Sequence, residues 1–284
     1  MAIHLEGKIK DLDGLRVSRI LPQRAARMVG PFIFLDHMGP AEFLPGEGID
    51  VLPHPHIGLS TLTYLFEGSL LHRDSLGNHV EILPGEVNWM TAGCGIVHSE
   101  RETIEIRAKH HRIQGLQCWV ALPEQEAETQ PSFTHLKREQ LPQTVKDGVI
   151  MRLVAGAAYD MTSPINTHPP FFFVDVMAKG MRTVFRPQPH QACMIYLLRG
   201  AIRLGHQTFQ GKHALLLESE THIATLAHSR MILLGGEVWP KTPLMDWNFV
   251  SFSRERLDQA RKDWQSNRFP VIQGDSEERA SLPE

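Results

Sequence analysis

Apolar residues in this chain rarely run far before glycine, proline, asparagine or aspartate interrupts them, and the interruptions recur about every ten residues. That rhythm is too short for helices and suits strands joined by tight turns, so it confines the chain to the all-β sandwich or barrel class. Thr61–Phe66 closes at Glu67-Gly68; Ser69–Arg73 leads through the Asp74–Asn78 turn into His79–Leu83, a hairpin by its turn chemistry. The second half repeats the texture in Phe171–Met177, the Ala178-Lys179-Gly180 turn, Met181–Phe185, Met194–Leu198, Arg199-Gly200, Ala201–Leu204 and Gly205-His206. At 284 residues and about 150 per domain, two β domains of similar grammar are the economical expectation.

Between them lies Pro123–Gly148, with proline at 123, 131 and 142 and the polar run PEQEAETQ at its start. It reads as a connector that buries little. The expected division is a metal-binding first domain over residues 1–130 and a second domain over 131–284 that includes a C-terminal helix. That helix is the one convincing helical segment: Ser253 suits an N-cap, Glu255 sits in the first turn, and Leu257, Ala260 and Trp264 recur at helical spacing before Asn267 and Pro270. Its apolar stripe needs a surface to cover. The polar, acidic residues 274–284 are expected to fray.

Charge and cysteine usage narrow the function. Lysine plus arginine total 29 against 32 acids, a net charge of −3, so no strong field gathers nucleic acid or an anionic membrane, and neither is an expected partner. Cys94, Cys118 and Cys193 are too few and too widely spaced for a disulfide framework or a CxxC site, which fits a reducing compartment. The opening MAIHLEGKIKDLDGL is charged throughout, and no window approaches the roughly 18 uninterrupted apolar residues of a spanning helix. A soluble cytoplasmic protein is expected, monomeric by default.

No GxGxxG, P-loop, HExxH or GxSxG pattern occurs. What the chain does contain is Gly48-Ile-Asp-Val-Leu-Pro-His54-Pro-His56 and, some forty residues on, Pro84–Gly93-Cys-Gly95-Ile-Val-His98-Ser-Glu100. In each, two side chains of ligand type are spaced i, i+2, which places both on one face of a strand. Two such strands facing one site would bring together His54, His56, His98 and Glu100, a donor set for a borderline divalent cation. Three neutral imidazoles and one carboxylate leave the centre near +1, attractive to an anionic chelating ligand. An octahedral ion keeps two adjacent positions open, whereas tetrahedral zinc would be closed and structural. Open positions favour iron, although manganese, nickel, copper and zinc accept the same ligands. The plainer alternative is a set of exposed loop histidines and a solvated acid, but paired spacing in two segments favours a metal site.

At these residues the sequence resembles a known family. Gly48–His56, followed by Thr61 and Gly68, resembles the first cupin motif, and Pro84–His98 resembles the second. Cupins generally place a Glu ligand where this chain has Thr61; Glu100 resembles its replacement, an arrangement that pirins show. Arg27–Pro40 and Trp89–Glu100 resemble pirin signatures almost letter for letter, and the similarity extends through a weaker second cupin to Phe249–Phe269. The resemblance implies two cupin-type β-barrels, a bicupin, with non-haem iron bound in the N-terminal domain by His54, His56, His98 and Glu100. Pirins are also similar to quercetin 2,3-dioxygenases, which implies ring cleavage of a flavonol-like aromatic by O2 with release of carbon monoxide. Glu100, the one carboxylate of the set, is then the natural catalytic proton acceptor. Eukaryotic pirins are described as nuclear transcription co-regulators, which implies the alternative of a metal-dependent binding protein acting through a protein partner. A scaffold that keeps metal only for stability is a third reading.

The second domain lacks the paired ligands. His190 stands near the start of a possible motif, but Gln191 and Ala192 follow and no H-x-H occurs after residue 56, so no metal is expected there. Asp36 and His37 either orient a metal ligand or substrate or cap a turn. Gly58 is expected to form a bulge that changes strand parity between His56 and Thr61. Phe32, Phe34, Phe43, Trp89 and Met90 read mostly as core, Arg107–Arg112 as a solvated face, and Cys94 as a packed thiol.

Overall fold

The computed structural model describes residues 2–12, 15–168, 170–188, 190–219 and 222–283. Its strands fall into two sets of the same kind, each a large antiparallel sheet accompanied by a four-stranded one. In the first set the large sheet pairs Ser132–Leu136, Val87–Thr91, Leu59–Glu67, His111–Ala121, Phe32–Phe43, Leu15–Leu21 and Lys8–Leu12 in that order. Its small sheet pairs Asp50–His56, Ile96–Arg101, Leu70–Asp74 and His79–Ile82. In the second set the large sheet runs Ala2–Leu5, His213–Leu217, Ala192–Arg199, Ser229–Gly236, Phe171–Ala178, Val149–Ala158 and Gln143–Lys146, with Met161–Thr162 added to Val149–Ala158. Its small sheet runs Arg182–Phe185, His222–Thr225, Ala201–Leu204 and Gln207–Gln210. The period-2 pattern explains these strands: Leu15 and Val17 are buried around exposed Arg16, and Ile202 and Leu204 around exposed Arg203. This is the expected pair of cupin-type barrels.

The compact units are not consecutive in sequence. One comprises Met1–Lys8, Ile20–Ile33 and Glu139–Pro240, and is called the C-terminal barrel below; the other, the N-terminal barrel, comprises Ile9–Arg19, Phe34–Arg138 and Lys241–Glu284. The helix Arg254–Gln265, expected within a second domain spanning 131–284, therefore belongs to the N-terminal barrel. Its sequence signals are otherwise realised: the Ser253 hydroxyl accepts from the Arg256 N–H at 3.2 Å, and Leu257, Ala260 and Trp264 are buried. The surface that the stripe covers is made of Ile57, Val97, Phe249 and Ile272, and Ile57 and Val97 adjoin His56 and His98 in the chain. Burying a leucine and a tryptophan there contributes about 1.5–3 kcal/mol each.

Three further expectations are corrected. Residues after 274 do not fray within the described chain: Asp275 takes hydrogen bonds from Ser99 and Arg101, and the Ala280 N–H donates to the Pro53 carbonyl. The connector is structured, because Ser132–Leu136 adds to the Val87–Thr91 edge and Gln143–Lys146 pairs with Val149–Ala158. Gly58 is not a bulge within one strand. It makes the corner between Asp50–His56 and Leu59–Glu67, which lie in different sheets, with φ +68° and a Cβ position that would fall 2.0 Å from the Val250 carbonyl oxygen. A second, one-turn helix, Ile104–Arg107, starts from a Thr103 cap. No helix among the described residues is long and apolar enough to cross a membrane.

Candidate metal centre

The Asp50–His56 and Ile96–Arg101 strands are antiparallel neighbours with His98 opposite His54 and Ile96 opposite His56. Alternation then sends His54, His56 and His98 to one face. All three are buried, and their ligand atoms lie within 4.8 Å of one another. The ring centroids are 4.3 Å apart for His54 and His98, 4.9 Å for His54 and His56, and 5.0 Å for His56 and His98. Three of the four predicted ligands are thus brought together.

Glu100, the fourth, is not among the side chains whose ligand atoms lie within 4.8 Å of one another; it follows His98 by two residues on the same strand. On the other side of its strand the pairing with Leu70–Asp74 is regular, His98 opposite Asp74 and Glu100 opposite His72, which keeps Glu100 on the histidine face. On the Asp50–His56 side the register shifts between His98 and Glu100. The Glu100 carboxylate is buried and its Oε1 is 3.1 Å from the Thr63 hydroxyl, which also lies 2.7 Å from the Gln117 side-chain amide. Thr63 has one hydroxyl proton, and Glu100 Oε1 and Gln117 Oε1 are both acceptors within its reach.

Hydrogen bonds fix the tautomers of two rings. His54 Nδ1–H donates to the Leu52 carbonyl at 2.8 Å, and His56 Nδ1–H donates to the Asn248 carbonyl at 3.1 Å. Both Nε2 atoms are therefore bare lone pairs directed away from the backbone. His56 Nε2 meets His98 Nε2 at 3.1 Å, and His98 Nδ1 is buried with no hydrogen-bond partner among the described residues. Neither tautomer of His98 resolves this. With the proton on Nδ1, two lone pairs confront each other; with it on Nε2, a buried lone pair at Nδ1 is orphaned, at a cost of about 1–3 kcal/mol. A cation shared by the Nε2 atoms removes the confrontation, so the donor set fits the divalent ion that its chemistry suggests.

Electrostatics agree. Burial, with a smaller contribution from His72, lowers the His54 pKa to about 4, against the pull of the Leu52 hydrogen bond. Burial and the neighbouring rings push His56 and His98 well below the ordinary imidazole value. The rings are neutral at pH 7, the form that binds metal. Burial raises the Glu100 pKa, opposed by His72 and the Thr63 hydrogen bond. A carboxylate placed there is costly to ionise without a cation.

Several residues at the site escaped the sequence reading. His72 stacks on Phe133 at 4.4 Å, lies 5.4 Å from the His98 ring and hydrogen-bonds Asp74 at 3.1 Å. Asp74 in turn closes the hairpin, accepting from the backbone N–H groups of Leu76 and Asn78. Burial opposes the Asp74 charge, but hydrogen bonds from His72 and Asn78 hold its pKa below the usual value. Trp119 meets His56 edge to face at 5.1 Å and stacks on Phe34 at 4.1 Å. The available signal was polar residues on a core-facing period: Thr61 and Thr63 alternate inward, opposite Trp119 and Gln117. Asp36 and His37 do not cap a turn. Both lie within Phe32–Phe43, where Asp36 takes two hydrogen bonds from Arg19 and the His37 ring pairs with Gln114.

A two-barrel cupin with a convergent three-histidine group in its N-terminal barrel is the class that fold and site define. Residues 14–120 match the pirin family model and residues 173–270 match the pirin C-terminal cupin domain, so the chain belongs to the pirin family. It is 44% identical to a pirin-like protein of Caulobacter vibrioides over 98% of each chain. It is 37% identical to a Pseudomonas aeruginosa protein named "Putative quercetin 2,3-dioxygenase", over 89% of this chain and 79% of that one. A solved structure titled quercetin 2,3-dioxygenase from Acinetobacter baumannii matches with a TM-score of 0.91 and 33% identity, covering 100% of this chain and 95% of that one.

Proposed function

We propose that His54, His56, His98 and Glu100 hold one divalent cation, iron foremost, and that the centre serves a dioxygenase acting on a flavonol-like aromatic with O2. The observation that carries this reading is the meeting of three buried neutral imidazoles, with the His56 and His98 Nε2 atoms facing each other at 3.1 Å, on strands that also carry the buried Glu100 carboxylate, an arrangement costly without a cation. The names carried by the Pseudomonas and Acinetobacter relatives support the reaction class.

When bound, such a cation acidifies a coordinated hydroxyl and supplies adjacent positions for oxygen ligands. The Leu52 and Asn248 carbonyls hold two imidazoles in the ligand tautomer. Thr63 holds one oxygen of Glu100, and that carboxylate, the one acid of the ligand set, would take the substrate hydroxyl proton. Trp119, edge to face with His56, and Phe133, stacked on His72, give the imidazoles an aromatic surround.

The test is to strip the protein of metal, reload it separately with iron, manganese, nickel, copper and zinc, and follow quercetin loss and carbon monoxide release under O2. Turnover with one or more of these metals is expected. Metal uptake with turnover by none of the five forms contradicts the dioxygenase and favours the metal-dependent binding protein instead.

A further inference from the structure

The strand carrying His98 and Glu100 is held on its outer face by a segment more distant in sequence than any other part of the site. Ser99 alternates with the two ligand-type residues, so its side chain leaves the opposite face. Its hydroxyl donates to Asp275 Oδ2 at 2.7 Å, across 176 residues of chain. Arg101 shares that outer face and grips the same carboxylate twice, Nε to Oδ2 at 2.9 Å and Nη2 to Oδ1 at 2.9 Å. The remaining arm of Arg101 donates to Asp50 Oδ1 at 2.8 Å, on the strand that carries His54 and His56. Five residues beyond Asp275, the Ala280 N–H donates to the Pro53 carbonyl at 2.9 Å, next to His54.

One carboxylate thus ties the residues on either side of Glu100, and Arg101 extends the tie to the neighbouring strand. The tie falls where the register between the two strands shifts, between His98 and Glu100. The bulge disrupts the ladder on the Asp50–His56 side only, so on that side bonds from outside supplement the regular pairing with Leu70–Asp74. On the inner face, Thr63 holds the Glu100 carboxylate through one hydrogen bond. The tail has its own anchorage. Ile272 is buried against the helix cluster, Trp264 Nε1–H donates to the Ala280 carbonyl at 3.0 Å, and Arg279 stacks over the Trp264 ring at 4.8 Å. Asp275, whose side chain is 8% exposed, is therefore a bond between two separately anchored elements.

We propose that Asp275 is a positioning residue for the metal centre: residues 272–280 form a strap that locks the Ile96–Arg101 strand at its register shift and so sets the Glu100 carboxylate relative to the three imidazoles. This rests on the metal reading above. A carboxylate from the tail, bonded to Ser99 and Arg101, aligns a ligand it never touches.

The test compares the full chain with Asp275→Asn, Asp275→Ala, Ser99→Ala, Glu100→Gln and the Asp275→Ala/Glu100→Gln double variant. Metal affinity is read by chelator competition with Mn2+, ligand-field symmetry by the EPR spectrum of the Mn2+ form, and fold integrity by the Tm of the metal-free protein. Asp275→Ala is expected to weaken Mn2+ binding about 10–100-fold, the usual range for outer partners of metal ligands, and to alter the spectrum. Ser99→Ala and Asp275→Asn should produce smaller losses, which keeps the test usable if Asp275→Ala folds poorly. In the Glu100→Gln background the additional loss from Asp275→Ala should largely vanish, because the strap acts through Glu100. A lowered metal-free Tm with unchanged affinity and spectrum overturns the strap and leaves the metal reading intact. A wild-type chain that takes up no Mn2+ or other divalent ion overturns the metal reading itself, and is told apart because the failure is already present before any substitution.

Discussion

The two four-stranded sheets pair in the same order but differ in what they turn inward. In the N-terminal barrel, the leading strands Asp50–His56 and Ile96–Arg101 carry three imidazoles and a carboxylate. In the C-terminal barrel, the strands in the same places, Arg182–Phe185 and His222–Thr225, contribute Val184 and Ile223 to one apolar cluster with Leu153, Val174, Ile195, Leu215 and Leu233. Thr225 spends its hydroxyl locally, accepting from the Arg182 N–H and donating to the Gly180 carbonyl. One topology therefore supports both a hydrocarbon core and a polar centre, and function resides in the inward residues, not in the barrel. The polar centre gives up apolar burial, and the braces that offset it lie outside: the Arg254–Gln265 helix over Ile57 and Val97, and the tail on Ser99 and Arg101.

The largest contrast should appear in metal content. His56→Ala and His98→Ala are expected to lower bound divalent ion from about one per chain to near zero by elemental analysis, whereas Ile223→Ala and His190→Ala leave it unchanged. Equal metal content in all four would erase the distinction between the barrels. Stability should show the converse. Ile223 is fully buried in hydrocarbon, so Ile223→Ala should cost about 2–4 kcal/mol in urea denaturation. Glu100→Gln in metal-free protein at pH 7 should cost nothing or add stability, because it removes a buried charge. In the metal-loaded protein the same change should destabilise.

A third contrast concerns pH. His54, His56 and His98 have folded pKa values below those of the unfolded chain, so the unfolded state binds protons that the folded state refuses. Stability of the metal-free protein is then fully present above about pH 6.5 and lost as pH falls toward about 4, by up to about 1.4 kcal/mol per pH unit for each ring. His54→Gln should flatten part of that slope in pH-resolved urea titrations, whereas His222→Gln in the C-terminal barrel, where the ring is exposed, should not. Smallest is the helix cap: Ser253→Ala should cost about 1 kcal/mol, read as a Tm shift in the N-terminal barrel.

The strand rhythm, the Ser253-capped helix and the convergence of His54, His56 and His98 were legible because each is written in local spacing. Domain membership was not, since it depends on contacts that close over most of the chain: Ala2–Leu5 pairs with His213–Leu217, and the last helix returns to Ile57 and Val97. The tail was misread for a related reason. Its charges look solvated in sequence, yet Asp275 finds Arg101 at a separation of 174 residues. His72, Trp119 and Phe133 lacked a local signal and Thr63 had only its inward alternation, because alternation says which residues share a face, not which interior that face closes. Glu100 lies between the two cases: its spacing from His98 reads correctly to the face, but the register shift beside it comes from pairing with another strand, and its carboxylate is not in the three-histidine group.

X-ray absorption on the wild-type protein loaded with iron addresses the central claim most directly, with His98→Ala as its control. The account predicts one ion per chain with three nitrogen donors and one carboxylate oxygen from the protein, at about 2.0–2.2 Å, and loss of the signal in the control. An ion with no imidazole scattering, or a signal that survives His98→Ala unchanged, would contradict it.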